Sequence, residues 1–222
     1  MIRYLSHKLL PINPVYGSSS AKIEMRRVKS QANGDSSEEY WLGFQNHWGT
    51  HLDCPAHFFP EGAKANDYEP DFWHFHSPQG IEVKLEPGQL LKPNDLTHSI
   101  RENTDLLLLK SGWSRLRGQE VYSLENPGLD PSFGSWLRKK YASIRVIGFD
   151  WISVSSYKHR EKGREAHRIL LDPQGENHPI LILEDMDLSE KLEHLKEVWV
   201  APLRVQEIDS APCTVLGVFD SR

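Results

Sequence analysis

Three histidines and one aspartate fall within the eleven residues from His47 to His57, in the run Asn46-His47-Trp48-Gly49-Thr50-His51-Leu52-Asp53-Cys54-Pro55-Ala56-His57-Phe58. Neutral imidazole and carboxylate are side chains that hold Zn²⁺ or Mn²⁺ through nitrogen and oxygen. His47 and His51 stand four apart, so one turn-like bend brings both rings to the same side. Asp53 lies two beyond His51, and extended chain there projects both side chains to one face. Gly49 and Pro55 argue against a regular helix and suit a bend followed by extended chain. Trp48 stands where the helical H-E-x-x-H pattern needs glutamate, so this is a different arrangement.

His57 reads as an acid/base. Two histidines and a carboxylate leave coordination positions open for water, as a catalytic site requires. An imidazole beside that water takes its proton and later returns one to a leaving group, and imidazole titrates near neutrality. A divalent metal that brings bound water towards ionisation at working pH, next to an amide, ester or lactam carbonyl, is the chemistry these four residues predict. Ordinary hydrogen-bonded histidines account for any one of them alone better than for all four at this spacing.

Further along, Phe72-Trp73-His74-Phe75-His76 offers large apolar rings with defined stacking geometry. Phe72, Trp73 and Phe75 are expected to wall an aromatic substrate, with loop packing as the competing reading. His74 and His76 alternate but have no evident third ligand. Cys54 sits inside the central run and reads as a small apolar filler rather than a nucleophile. In the basic stretch Lys158–Lys162 and beyond, Arg160 and Arg164 are candidates to meet a substrate carboxylate.

Composition narrows the field. The chain has 222 residues, enough for a single domain over 1–222 with its own core. Its formal charge is −5 and its basic residues form no long run, which excludes a phosphate-backbone binder. No apolar stretch approaches the ~20 residues of a membrane span, and the opening MIRYLSHKLLPINP lacks an apolar signal core. Two distant cysteines, Cys54 and Cys213, make no disulfide framework. A cytoplasmic location is expected.

The elements that must position these residues are short. Strands are predicted at Ala21–Val28, Tyr40–Asn46, Ile81–Leu85, Asp105–Lys110, Ile144–Asp150, Pro179–Glu184, Glu197–Ala201, Leu203–Ile208 and Cys213–Phe219, each rich in β-branched or other apolar residues near turn formers. Ser30–Glu39 is polar enough to be a loop. Helices are predicted at Pro131–Tyr141, Glu161–Leu171 and Leu188–Leu195, Pro131 suiting a first helical turn. The mixture implies an α/β domain on the border with α+β, richer in strand than helix.

The pattern His47-x-Gly-Thr-His51-x-Asp53-x-Pro-x-His57-Phe58 resembles the signature of the cyclase-like metal-dependent hydrolases, the family of bacterial-type kynurenine formamidases and isatin hydrolases. Leu5-Ser6-His7, Val146–Asp150, Ala166-His167-Arg168, Ile182–Leu188, Ala201-Pro202-Leu203 and Asp209–Cys213 are similar to further family segments, in the same order. The resemblance implies a swivelling β/β/α fold. It also implies that His47, His51 and Asp53 ligate a first metal, that His167 and Glu184 ligate a second with Asp53 bridging, and that His57 is the acid/base. The implied cofactor is Zn or Mn, as one or two ions. The implied substrate is a small aromatic amide or lactam, such as N-formylkynurenine, cleaved to formate and an arylamine; a lactone or other ring is the alternative within the fold. A homodimer or larger homo-oligomer is implied, and a non-catalytic metal-binding module is the alternative outside enzymology. The chain departs from the formamidases in Tyr4, in Ser155 and Ser156 where those enzymes tend to carry aspartate, and in a longer Asp172–His178 loop.

Overall fold

Leu106-Leu107-Leu108-Leu109 is apolar at four successive positions, and all four are buried. A strand covered on both faces requires that pattern, and the computed structural model, which describes residues 1–96 and 98–220 (Ser18–Ser20 as backbone only), places it inside a nine-stranded mixed sheet. In chain order the strands are β1 (Ile2–Tyr4), β2 (Ile12–Val15), β3 (Ser18–Lys22), β4 (Glu24–Lys29), β5 (Glu39–Gly43), β6 (His51–Asp53), β7 (His74–Phe75), β8 (Pro78–Glu82), β9 (Leu90–Leu91), β10 (Leu106–Lys110), β11 (Gly128–Leu129), β12 (Val146–Phe149), β13 (Leu181–Glu184), β14 (Leu195–Pro202) and β15 (Ser210–Phe219). The α-helices are α1 (Glu120–Leu124), α2 (Pro131–Lys140) and α3 (Arg160–Leu171).

The sheet runs β7-β14-β15-β6-β13-β12-β10-β8, with β1 also paired to β15. Strands β8, β10, β12 and β13 are parallel, while β6 is antiparallel to both β13 and β15. Alternation of side chains along each strand divides the core in two. Leu107, Leu109, Ile147, Phe149 and Ile182 face one apolar layer together with Phe133 and Leu137 of α2 and Ala166 and Leu170 of α3. Leu106, Leu108, Val146, Leu181 and Leu183 face the other, with Leu52, Cys54, Phe75 and Val215. Asp130 caps α2, accepting a hydrogen bond from the Ser132 N–H at 3.0 Å. In α3, Gly163, Ala166, His167, Leu170 and Leu171 are buried, the three-and-four spacing of an amphipathic helix.

This strand-rich architecture with few helices agrees with the expected class. Several boundaries differ. Ala21–Val28 is not one strand, because buried Ile23 separates β3 from β4, which belong to different hairpins. Leu203–Ile208 forms no strand; it is interrupted by a turn with Glu207 at φ 67°, and Arg204–Glu207 are exposed. Leu188–Leu195 forms no α-helix, only a 3-10 turn at Leu192–His194 before β14 begins. Leu188 and Leu192 serve the second apolar layer from loop positions, so their four-residue spacing imitated a helical face. Helix α2 ends where expected, and its buried Arg138 donates hydrogen bonds to the carbonyls of Ile169, Asp172, Glu176 and Asn177, which shapes the Asp172–His178 loop. No described helix is long and apolar enough to cross a membrane.

Candidate metal centre

Strand β6 carries the centre of the site. Its register with β13 sets His51 opposite Glu184 and Asp53 opposite Ile182. Because side chains alternate, His51 and Asp53 leave the sheet on the face away from Leu52 and Cys54. Glu184 stands at the carboxyl end of β13, beside the parallel half of the sheet, where open α/β sheets place their crevices. Gly49 adopts φ 69°, a left-handed conformation glycine takes without strain. Its carbonyl then accepts the Nδ1–H of His51 at 2.9 Å, which turns Nε2 towards the carboxylates.

His167 arrives from α3. The helix approaches the Ser155 backbone so closely that a Cβ on Gly163 would lie 2.4 Å from the Ser155 Cα, so only glycine fits there. The Gly163 carbonyl accepts His167 Nδ1–H at 2.8 Å, leaving its Nε2 for the cluster as well. Ser155 Oγ lies 3.4 Å from the same Nδ1. The Val154 N–H donates to Glu184 Oε1 at 2.7 Å, fixing that carboxylate.

The resulting cluster is continuous. His51 Nε2 is 3.6 Å from Asp53 Oδ1 and 3.4 Å from Glu184 Oε2. His167 Nε2 is 3.8 Å from Asp53 Oδ2 and 3.5 Å from Glu184 Oε1. His47, from the turn before β6, puts Nδ1 3.1 Å from Asp53 Oδ1. These four residues form the floor: His51, Asp53, His167 and Glu184 are 3, 1, 5 and 4 % exposed. The mouth is made by His47, His57 and Asp209, whose side chains are 31, 27 and 32 % exposed. Two sets of ligand atoms come within 4.8 Å of one another: His47, Asp53 and His57, and His51, Asp53 and Glu184. The structure thus brings all five expected ligands together: His47 Nδ1 and His51 Nε2 converge on the same oxygen, Asp53 Oδ1, with Glu184 beside His51, and His57 lies beside His47 at 4.4 Å between ring centroids.

Charge explains what the cluster is prepared to hold. Burial opposes charging of His47, but its hydrogen bond to Asp209 and the Asp53 carboxylate 3.1 Å away prevail and raise its pKa to about 10. Burial likewise opposes ionisation of Asp53, yet the neighbouring His47 and His51 hold its carboxyl far below the usual range. Asp209 is also held well below that range, by hydrogen bonds to His47 and His57. Without a metal, protons on imidazole neutralise the carboxylates. They do not complete the job: His51 Nε2 and Asp53 Oδ1 are buried without a hydrogen-bond partner among the described residues. Each such orphan costs about 1–3 kcal/mol, and a cation between them removes both penalties. The nitrogen and carboxylate donors fit a divalent ion of the Zn or Mn type.

Two contributors had no assigned role in the sequence. Asp209, just before β15, accepts from His57 Nδ1 at 2.7 Å and from His47 Nε2 at 3.3 Å. It is 152 residues from His57, so no spacing pattern links them. Phe58 meets His57 edge-on at 4.8 Å and stacks on His167 at 5.0 Å; only its place beside His57 hinted at this.

The aromatic cluster falls elsewhere. Phe75 is fully buried, and Phe72 and Trp73 pack with Tyr68 against the layer that contains Leu52 and Cys54. That layer lies on the opposite side of β6 from Asp53, so Phe72, Trp73 and Phe75 are not brought to the cluster. Their apolar area is spent on the core. His74 hydrogen-bonds Glu197 at 2.8 Å, stacks on Trp199 and lies 3.9 Å from His76 between ring centroids, taking no part in the cluster around Asp53. Cys54 is a buried free thiol that burial pushes to a higher pKa, in keeping with an inert filler.

Known proteins agree with this frame. The sequence model of the Cyclase family (putative cyclase) matches residues 4–156. A kynurenine formamidase of Bacillus cereus is 30 % identical, over 75 % of this chain and 73 % of its own. Cyclase-like protein 2 of Oryza sativa subsp. japonica is 26 % identical, over 94 % of this chain and 75 % of its own. Among solved structures, a potential metal-dependent hydrolase with cyclase activity superposes with a TM-score of 0.76 at 19 % identity, covering 100 % of this chain and 99 % of its own. Isatin hydrolase A from Labrenzia aggregata has the same TM-score and identity, covering 98 % and 93 %. At these identities the two structures establish a common fold.

Proposed function

Since the chain belongs to the cyclase family, we propose that it is a metal-dependent hydrolase of a small amide or lactam, with an aryl formamide such as N-formylkynurenine as the favoured substrate. The observation that carries this reading is the pair of buried, unpartnered atoms His51 Nε2 and Asp53 Oδ1 at the meeting point of three imidazoles and two carboxylates. His47, His51, Asp53, His167 and Glu184 would hold Zn or Mn, and an ion there acidifies water and polarises a carbonyl. Asp53 has one oxygen towards His47 and the other towards His167, which suits a carboxylate shared between two ions.

His57 sits at the partly open mouth, within reach of both water and substrate. It takes a proton from the attacking water and delivers one to the departing nitrogen, so that the C–N bond breaks to formate and a neutral arylamine. The buried floor keeps bulk water from the carboxylates. Phe58 supplies an aromatic surface against His57 and His167, with the Arg168 guanidinium 5.3 Å from its ring centroid. Arg160, at the start of α3 with its guanidinium 5.5 Å from the Tyr157 ring centroid, offers a cation for a substrate carboxylate.

Metal-loaded protein should release formate from N-formylkynurenine and should open isatin more slowly. Turnover of a lactone instead would move the substrate within the same fold. Tight metal binding with neither turnover nor an exchangeable water would make the site structural. We also propose a homo-oligomer: the β4–β5 hairpin exposes Met25, Tyr40 and Leu42 on one face and Trp41 on the other, apolar surface suited to a second copy. Light scattering of the purified protein tests it. Free, buried Cys54 and Cys213 suit a reducing compartment such as the cytoplasm.

A further inference from the structure

Asp209 holds two imidazoles with a single oxygen. Its Oδ2 lies 2.7 Å from His57 Nδ1 and 3.3 Å from His47 Nε2. Its other oxygen, Oδ1, accepts from the side-chain amide of Asn46 at 2.9 Å, and Asn46 also donates to the Ser210 carbonyl at 3.2 Å. The carboxylate is therefore held at both oxygens. The backbone beside it is fixed as well, because the Cys54 N–H donates to the Asp209 carbonyl at 3.1 Å.

An ionised carboxylate only accepts hydrogen bonds, so any ring nitrogen that bonds to it must carry a proton. A neutral imidazole has one proton to place, and the partner of one nitrogen decides the state of the other. His57 must then carry its proton on Nδ1, leaving the Nε2 lone pair free. His47 must carry one on Nε2, and its Nδ1 is the nitrogen that faces Asp53 Oδ1 at 3.1 Å.

We propose that Asp209 is the positioning residue of this site: through one oxygen it fixes the tautomers of two imidazoles with different tasks, freeing His57 Nε2 to accept a proton and His47 Nδ1 to bind a metal. Outer carboxylates that orient metal-bound histidines do this in other metal sites; here the same group serves the acid/base as well. The tasks rest on the hydrolase reading above, whereas the tautomers rest on hydrogen bonding alone.

Asn46 supplies the test. In Asp209→Asn, the Asn46 amide donor draws the new carbonyl oxygen to itself, which turns the new NH₂ towards the two rings. His57 Nδ1 then has to accept, and its proton moves to Nε2. Adding Asn46→Asp reverses the amide: the new carboxylate at 46 takes the NH₂ and the amide oxygen faces the rings again.

The experiment is ¹⁵N NMR of histidine-labelled, zinc-loaded protein, read with zinc content and steady-state kinetics. Wild type should show His57 protonated on Nδ1. Asp209→Asn should show it on Nε2, with zinc affinity lower by about 10–100-fold because His47 Nε2–H loses its acceptor, and with kcat of the zinc-saturated variant lower by a similar factor at little change in KM. The Asn46→Asp/Asp209→Asn pair should recover the Nδ1–H signal and most of the lost rate. His57 keeping its Nδ1 proton in folded Asp209→Asn protein, or a folded pair that recovers neither signal nor rate, overturns the proposal. If wild type hydrolyses no amide tried, the ring-nitrogen pattern still decides the role of Asp209, and only the hydrolase reading fails.

Discussion

His51 and Glu184 face each other directly across the antiparallel β6–β13 pair, with His51 Nε2 3.4 Å from Glu184 Oε2. Strand pairing thus joins a residue of the His-rich segment to one 133 positions later (184 minus 51). Glu184→Gln keeps an oxygen for the Val154 N–H but replaces the oxygen that faces His51 with an NH₂ that cannot ligate. Metal affinity should fall by more than the roughly 10–100-fold typical of losing an outer partner, measured by competition with a chromophoric chelator.

Metal should act as a folding ligand, because it satisfies atoms that are otherwise buried without partners. Zinc at about 100 times its Kd adds roughly 2.7 kcal/mol, which for a chain of this size raises Tm by about 5–10 °C. Calorimetry with and without chelator checks this. An unchanged Tm at saturating zinc would mean that no ion binds the folded cluster.

The pH dependence has a definite sign. In the metal-free protein the His47 pKa is raised from 6.5 to about 10 by Asp209 and Asp53 against the opposing effect of burial. That group contributes stability fully present below pH 6.5 and lost as pH rises through about 10. Asp53 and Asp209, held low by the histidines, contribute above their ordinary value of 3.8 and lose it as pH falls further. Metal-free protein should therefore resist urea best between those limits. Metal must displace the His47 proton, so affinity should increase with pH from about 7 towards 10. Titration calorimetry in buffers of different ionisation enthalpy counts the released protons.

His57→Ala should keep its metal and lose turnover by about 10²–10⁴-fold. The side chain is also close enough to His47 and Asp53 to be a ligand. Loss of metal from the variant, read by elemental analysis, would reassign it to that role.

Behind the floor, Asp185 is buried at φ 52° and receives hydrogen bonds from Arg117 at 2.9 and 2.8 Å and from Tyr122 at 2.5 Å. Its carbonyl accepts the Thr50 hydroxyl at 2.5 Å, tying the residue after Glu184 to the residue before His51. Arg117→Met leaves that carboxylate without its cation, which should cost about 3–5 kcal/mol in urea denaturation of the metal-free protein. Tyr122→Phe should cost about 1–3 kcal/mol.

The chain's local patterns determined much of this. Consecutive apolar residues at Leu106–Leu109 and Val146–Phe149 can satisfy only strands covered on both faces, and the spacing in Pro131–Lys140 and Arg160–Leu171 can satisfy only helices packed on one side. The crowding of His47, His51, Asp53 and His57 into one segment likewise announced a metal-binding chemistry, since donors so near in sequence meet with little loss of chain entropy. Tertiary structure alone decided the rest. Asp209 and Glu184 join that segment through pairing with β6, and no periodicity relates residues whose contact is made by strands distant in the chain. Burial decided the fate of Phe72, Trp73 and Phe75, because aromatic side chains have the same composition whether they line a cleft or fill a core. Leu188 and Leu192 imitated a helix for the same reason: a periodicity records which residues are apolar, and only the fold determines which surface they cover.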